Sequence, residues 1–307
     1  MSFRDELFDR ARSAPRRILL PEMDDRRIEE AARQLADLGL GRPVPVYSGS
    51  AAPDRLDFYA GRIAARRERM TTGQARRLLS RPLFLAAAML EAGDGDMLLA
   101  GATHPTRRVI EAGMMSVGLT GDIATPSSFF LMLAPEGSRR EGQRFIFSDC
   151  AVNIAPDSEQ LADIAIASAA TAERLLGEPA RVALLSFSTH GSAAHGEVDR
   201  VTKALAIIRE RMPELSVDGE LQADAALSPG IAERKIRKPS AVAGRANVLI
   251  FPDLASGNIA YKLLQELGQM QAIGPFLQGF ARPICDLSRG ATVDDIVLAA
   301  LLSSTGV

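Results

Sequence analysis

The sequence predicts an α/β protein with mainly parallel sheets. Short apolar runs of strand length recur along the chain, and each is followed by turn residues and then by a stretch with helical spacing. At 307 residues, with 47% hydrophobic and 24% charged residues, the chain is also long enough to bury two cores. Alternation of strand and helix is the pattern of parallel strands joined by crossover helices, in which functional loops gather at the carboxyl ends of the strands.

Arg17-Ile-Leu-Leu-Pro21 reads as the first buried strand. Ile28, Ala31, Ala32, Leu35 and Leu38 then recur at the spacing of an amphipathic helix over residues 24–38, which Gly39 and Gly41 end. Pro43-Val-Pro-Val-Tyr47 follows as a second strand. The pattern repeats at Asp96-Met-Leu-Leu-Ala100, Arg144-Phe-Ile-Phe147, Val182-Ala-Leu-Leu-Ser186 and Asn247-Val-Leu-Ile-Phe251. Residues 134–142 are polar and rich in turn formers, which suits an interdomain link and a hairpin equally. Gly274-Pro275 offers a place for the chain to cross back. The expected lobes are 1–135 with 275–307, and 136–274.

Basic and acidic residues, 36 and 38, are interspersed and give a net charge of −2, so no basic face awaits a nucleic acid. With no tryptophan and three tyrosines, the chain lacks a stacking platform for single strands. No apolar run of about eighteen residues is present, and the N-terminus lacks the apolar core of a signal peptide, so neither a membrane partner nor export is expected and the predicted location is cytoplasmic. Cys150 and Cys285 lie far apart and outside any CxxC pair, which predicts reduced thiols. His104, His190 and His195 are the only histidines and form no HExxH set, so no metal is expected. GxSxG and GxxxxGK[ST] are absent.

Four segments carry chemistry-competent residues. Ser186-Phe-Ser-Thr-His-Gly-Ser192 joins a strand to a helix starting near Glu197, which suits an anion cradle as well as ordinary capping. Asp218-Gly-Glu-Leu-Gln-Ala-Asp224 gathers three acidic side chains, enough charge for a metal or an acid/base role, with a solvated acidic turn the commoner explanation. Asp253 and Asn258 stand where a strand meets a helix, Asp253 able to orient a ligand or cap the helix. Asp286-Leu-Ser-Arg-Gly-Ala-Thr-Val-Asp-Asp295 precedes the apolar helix 296–302; Thr292 and Asp295 have capping-box spacing, while Ser288 and Arg289 offer a hydroxyl and a charged donor to an oxyanion or phosphate.

Taken together and in order, Ser186-Phe-Ser-Thr-His-Gly-Ser192, Asp218-Gly-Glu-Leu-Gln222, Ala246-Asn-Val-Leu-Ile-Phe-Pro-Asp253, Gly257-Asn-Ile259 and Asp286-Leu-Ser-Arg-Gly290 resemble the phosphate acetyltransferase and phosphate butyryltransferase family. Leu19-Leu-Pro-Glu22 and Ala100-Gly-Ala-Thr-His104 extend the likeness more weakly to the first part of the chain.

The resemblance implies a two-lobed fold like that of the isocitrate and isopropylmalate dehydrogenases, an active-site cleft between the lobes, and a homodimer. It also implies direct attack of the coenzyme A thiol on an acyl phosphate, with acetyl as the acyl group because that is the family's commonest case, and no tightly bound cofactor. The partners are then coenzyme A or acetyl-CoA, acyl phosphate and inorganic phosphate. Carried onto this chain, Asp295 matches the thiol-deprotonating base, and Ser288 and Arg289 match transition-state and substrate-binding groups. Substrate-binding positions fall on Ser186, Ser188, Thr189, Gly191, Ser192, Asp253 and Asn258. A family arginine ahead of a Met-Thr pair maps to Arg66 or Arg67. A second family arginine, which helps hold phosphate, has no counterpart in Asp122-Ile-Ala-Thr-Pro-Ser-Ser-Phe-Phe130. The alternative expectation is a noncatalytic acyl-CoA-binding regulatory module of the same fold; a hydroxyacid dehydrogenase on that fold lacks its metal-binding aspartates here.

Overall fold

The computed structural model describes residues 3–121 and 123–305; Asp122, at the head of the segment without an arginine, and the extreme ends of the expected first lobe lie outside them. By their internal contacts, Met1–Gly121 with Phe280–Val307 form one compact unit and Asp122–Gly279 a second.

The first unit begins with α1 (Phe3–Ser13), β1 (Arg17–Leu20), α2 (Arg26–Asp37), β2 (Arg42–Pro45), α3 (Pro53–Ala65), α4 (Thr72–Leu78), α5 (Pro82–Ala92), β3 (Met97–Ala100) and α6 (Thr106–Ser116). The second unit contains β4 (Ser127–Leu133), β5 (Arg144–Ser148), α7 (Ser158–Leu176), β6 (Val182–Leu185), α8 (Gly196–Arg211), β7 (Val217–Leu221), α9 (Ala223–Leu227), α10 (Pro229–Lys235), β8 (Val248–Ile250), α11 (Leu254–Glu266) and β9 (Gln271–Gln278). The chain then supplies β10 (Ile284–Asp286) and α12 (Val293–Thr305) to the first unit.

In the first unit the strand order is β2-β1-β3-β10, with every pair parallel. Helix α2 buries Ile28, Ala31, Ala32 and Leu35, the stripe its sequence spacing requires, and Asp25 caps it by accepting from the Arg27 amide. Helix α5 is apolar nearly all round and buries Leu83 through Ala88 and Leu90. In the second unit the order is β9-β4-β5-β8-β6-β7; β5, β8, β6 and β7 run parallel, whereas β4 is antiparallel to both β5 and β9. Residues 134–142 are thus the connection of the β4–β5 hairpin. Gly274 and Pro275 lie inside β9, where the register with β4 shifts, a place that tolerates a residue without an amide donor.

The acidic turn expected at 218–224 is instead buried strand β7 running into α9. Asp218 and Glu220 are only 7% and 2% exposed because donors from other segments reach them, Ser240 Oγ at 2.5 Å from Asp218 and Ser188 Oγ at 2.7 Å from Glu220. Among the described residues no helix is long and apolar enough to cross a membrane.

Candidate active site

The first unit sets the carboxyl ends of β1, β3 and β10 side by side, since neighbouring strands stand about 4.8 Å apart. Glu22, two residues beyond β1 and 4% exposed, is the hub of the loop after β3. Its Oε2 accepts from the Ala102 amide at 2.9 Å; its Oε1 accepts from the Thr103 and His104 amides at 3.1 and 2.9 Å and from Thr103 Oγ1 at 2.8 Å. His104 Nδ1 lies 2.7 Å from the same Oε1. Burial pushes the Glu22 carboxyl up, but the bonds from His104 and Thr103 outweigh it and hold the group below the usual carboxylate range.

The loop after β10 is fixed through its backbone. The Leu287 amide donates to Ala100 O at 2.6 Å, and Arg27 Nη1 donates to Arg289 O at 2.8 Å and Ala291 O at 2.9 Å. Asp25, 2.7 Å from Arg27 Nη2, holds that guanidinium in place. Asp286 is 2% exposed; Thr106 Oγ1, on the first residue of α6, donates to its Oδ2 at 2.5 Å, while its Oδ1 is buried with no hydrogen-bond partner among the described residues. Burial pushes the Asp286 carboxyl up to about 7 against the Thr106 bond, and the charge of Glu22 adds to the rise. Gly101, at φ +109°, makes this packing feasible, because a Cβ there would meet Asp286 Oδ1 and Leu287 N at 2.5 Å each.

On this fixed backbone the Ser288 and Arg289 side chains are exposed. Ser288 Oγ accepts from the Gly290 amide at 3.3 Å, and among the described residues the Arg289 guanidinium has no ion-pair partner. Asp295, exposed in the first turn of α12, completes a capping box: its Oδ2 accepts from Thr292 N at 2.9 Å and Oγ1 at 2.7 Å, and its amide donates back to Thr292 Oγ1 at 3.2 Å. Local initiation of α12 and display of a carboxylate to solvent are therefore both present.

Arg66 and Arg67 belong to the same unit but are not brought to these loops. Arg66 pairs with Glu91 at 2.7 Å and donates to Ser116 O at 2.8 Å, and Arg67 donates to Met114 O. Both contacts lie in the last turn of α6, about 12 to 15 Å along the helix from Thr106 at about 1.5 Å per residue.

In the second unit, the segment 186–193 folds onto itself and onto β7. Ser188 N donates to Ser186 Oγ at 3.2 Å, Thr189 N to Ser192 Oγ at 3.0 Å, Gly191 N to Glu220 Oε1 at 2.7 Å and Ala193 N to Ser188 Oγ at 3.1 Å. These amides are already paired, and α8 is capped separately by His195 Nδ1, which accepts from Glu197 N at 3.1 Å. Thr189, Gly191 and Ser192 nevertheless line a cavity of about 950 Å³ together with Arg209 and Arg237. Asp253 caps α11 by accepting from Ser256 N at 2.8 Å, and Asn258 Nδ2 donates to Cys150 O at 3.2 Å. Gly257 lets α11 approach that loop, since a Cβ would stand 2.5 Å from Asp149 O. Asp149 organises the turn by accepting from Ala151, Val152 and Asn153 amides at 3.0, 3.2 and 2.8 Å. In the segment without an arginine, Ser127 Oγ accepts from the buried amide of Gln278 at 3.0 Å and Ser128 Oγ donates to Asp149. Sequence reasoning passed over Glu22, His104, Asp149 and Asp286 as site residues; the weaker likeness at residues 19–22 and 100–104 was the only pointer to the first two.

Residues 2–304 match the model of a family described as phosphate acetyl/butaryl transferase. A phosphate acetyltransferase of Paracoccus denitrificans is 42% identical over 98% of this chain and 98% of its own length, and one of Acetivibrio thermocellus is 36% identical over 99% and 98%. Among solved structures, a phosphotransacetylase from Streptococcus pyogenes superposes with a TM-score of 0.91 at 33% identity, covering 99% of this chain and 98% of that one. Matched from end to end in sequence and in structure, the chain belongs to the phosphate acetyl/butaryl transferase family.

Proposed function

We propose that this protein transfers an acyl group, acetyl by preference, between an acyl phosphate and coenzyme A by direct attack of the thiol. The observation that carries the reading is the placement on one segment of the Arg289 guanidinium, without an ion-pair partner among the described residues, and the Ser288 hydroxyl with the exposed Asp295 carboxylate seven residues beyond Ser288. A thiol of pKa about 8.5 is mostly protonated at neutral pH, so Asp295 takes its proton as general base. The thiolate adds to the acyl carbonyl, Arg289 and Ser288 stabilise the oxyanion that forms, and collapse expels phosphate. Arg27 holds the backbone under Arg289 so that the guanidinium acts from a fixed base.

In the second unit, the exposed side of residues 186–192 and the turn 253–258 bind substrate, with Ser188 and Thr189 shaping the loop from beneath. Arg209 and Arg237 on the adjoining cavity support a phosphate-bearing ligand there. Arg66 and Arg67 keep a structural place at α6 in this reading. The acting form is a homodimer, supported by an apolar stripe of Ile259 and Leu263 on α11 and Leu267 just past its end, which are 56%, 52% and 81% exposed. Unpaired buried cysteines suit the reducing cytoplasm. The test is formation of acyl-CoA from coenzyme A and acetyl, propionyl or butyryl phosphate by the purified protein. Turnover, fastest with acetyl phosphate, is expected; none with any of the three would refute the reading.

A further inference from the structure

The reaction proposed above takes a proton from the thiol at Asp295 and needs one at the other end. When the carbon–oxygen bond to the phosphoryl group breaks, its electron pair goes to the phosphate oxygen, which departs as a trianion unless a proton arrives. Neither Ser288 nor Arg289 is suited to give it, because a guanidinium keeps its protons at any working pH and a serine hydroxyl is a weak acid.

We propose that His104, held by Glu22, is the general acid that protonates the departing phosphate oxygen, and the general base that removes that proton in the reverse direction. Three observations carry this. Glu22 is ionised, so the nitrogen 2.7 Å from its Oε1 is the one that bears hydrogen; the ring is thereby locked with Nδ1 inward and Nε2 toward the outside. The Glu22 side chain is fully inaccessible, whereas that of His104 is 39% exposed, so the orienting group is buried; the imidazolium form keeps Nδ1–H on Glu22 and gives up the proton on Nε2. The pair also stands beside the Ser288–Arg289 segment: Arg27 bonds Ala102 O at 3.4 Å as well as Arg289 O at 2.8 Å, and Thr106, two residues past His104, bonds Asp286 at 2.5 Å.

Charge balances in this scheme. Coenzyme A thiol and the acyl phosphate dianion become thioester and hydrogen phosphate dianion; the thiol proton goes to Asp295, the phosphate receives one from His104, and solvent exchange restores both groups. Of the charged and titratable groups on these neighbouring segments, Glu22 bonds the imidazole itself; the others are Asp24, Asp25, Arg26 and Arg27 in the β1–α2 turn, Arg107, Arg108 and Glu111 on α6, and Asp286 and Arg289 after β10, with Arg27 paired to Asp25 and Arg108 to Glu111. Two titratable groups with opposite duties fit the general rule that acid and base roles are separated by environment.

This inference rests on the acyltransferase reading, and its test separates the two. His104→Gln leaves Glu22 with its four other donated bonds, so the fold should persist, to be checked by circular dichroism and by unchanged coenzyme A affinity. With acetyl phosphate, kcat should fall by about 100-fold or more, the usual contribution of general acid–base catalysis. With acetyl methyl phosphate, whose leaving group has its second ionisation near about 6 and departs without a further proton, the loss should shrink to about tenfold or less. Equal losses with the two donors make His104 a structural or binding residue and overturn the proposal, as does undiminished turnover. Absence of turnover by the wild-type protein would overturn the acyltransferase reading and this inference with it.

Discussion

Replacing Asp286 by asparagine removes a titration while keeping the shape of the side chain and an acceptor for the Thr106 hydroxyl. The native carboxyl titrates at about 7 against an ordinary 3.8. The raised value means that the folded protein holds a proton which the unfolded chain gives up. Below about pH 4 both states carry it and nothing is lost; from there to about pH 7 each unit costs the fold about 1.4 kcal/mol, about 4 kcal/mol in all, and above pH 7 the loss is complete. The variant has no such proton, so the stability of wild type minus that of Asp286→Asn should fall by about 3 kcal/mol between pH 5 and pH 7 and then level off. Glu22, whose charge adds to the shift, is present in both proteins and other titrations cancel in the difference. Because the chain has no tryptophan, urea unfolding followed by far-ultraviolet circular dichroism from pH 5 to pH 9 is the suitable assay. Parallel stability curves for the two proteins across that range would refute the reasoning, for they would mean that Asp286 is solvated and titrates as a surface carboxyl does.

Asp295→Asn keeps the acceptor that Thr292 needs, so turnover should drop by about 100-fold or more while the melting temperature stays within a few degrees; a melting temperature that falls along with activity would assign the residue to capping alone. Gly257→Ala should destabilise the protein by about 1–3 kcal/mol in urea unfolding, since the new methyl stands 2.5 Å from Asp149 O. Burial pushes the Cys150 thiol well above its usual value and the Cys285 thiol up to about 12, so a thiol reagent at pH 8 should label neither in the native protein and both after unfolding. Light scattering should find the wild type as the proposed homodimer and Leu263→Lys as a monomer, because the substitution places a charge in the middle of the exposed apolar stripe of α11.

The elements with clear periodicity were legible without a structure. Ile28, Ala31, Ala32 and Leu35 marked α2 because burial repeats with the helix, and the apolar runs at 97–100 and 182–185 marked β3 and β6 because parallel strands are covered on both faces. Strand β7 was not legible, since Asp218 and Glu220 look like solvent residues until Ser240 and Ser188 reach them from segments 22 and 32 residues away. Strand β9 was hidden by Gly274-Pro275, whose local meaning is a turn and whose meaning in pairing is a bulge. In the site, Thr292 and Asp295 could be read as a cap because both partners lie within one turn. Glu22 and His104 stand 82 positions apart, and only the adjacency of β1 and β3 makes them a pair.

The phosphate half of the chemistry is where these strands of argument meet. A fixed guanidinium lowers the energy of a leaving phosphate by neutralising charge, and the segment 123–130 supplies none while Arg66 and Arg67 are engaged at the far end of α6. Of the two arginines tied to the loop after β10, Arg27 is neutralised by Asp25 and committed to backbone oxygens, while Arg289 has no ion-pair partner among the described residues. One guanidinium asked to serve both the carbonyl oxyanion and the departing phosphate divides its effect, because its attraction falls with distance from each. Delivering a proton removes a full unit of charge from the leaving oxygen itself and needs no second arginine. A partly exposed histidine clamped at Nδ1 by a buried, ionised glutamate is suited to that transfer when protonated on Nε2, and the tie of both loops to Arg27 lets fixed charge act on the carbonyl while the proton acts on the phosphate.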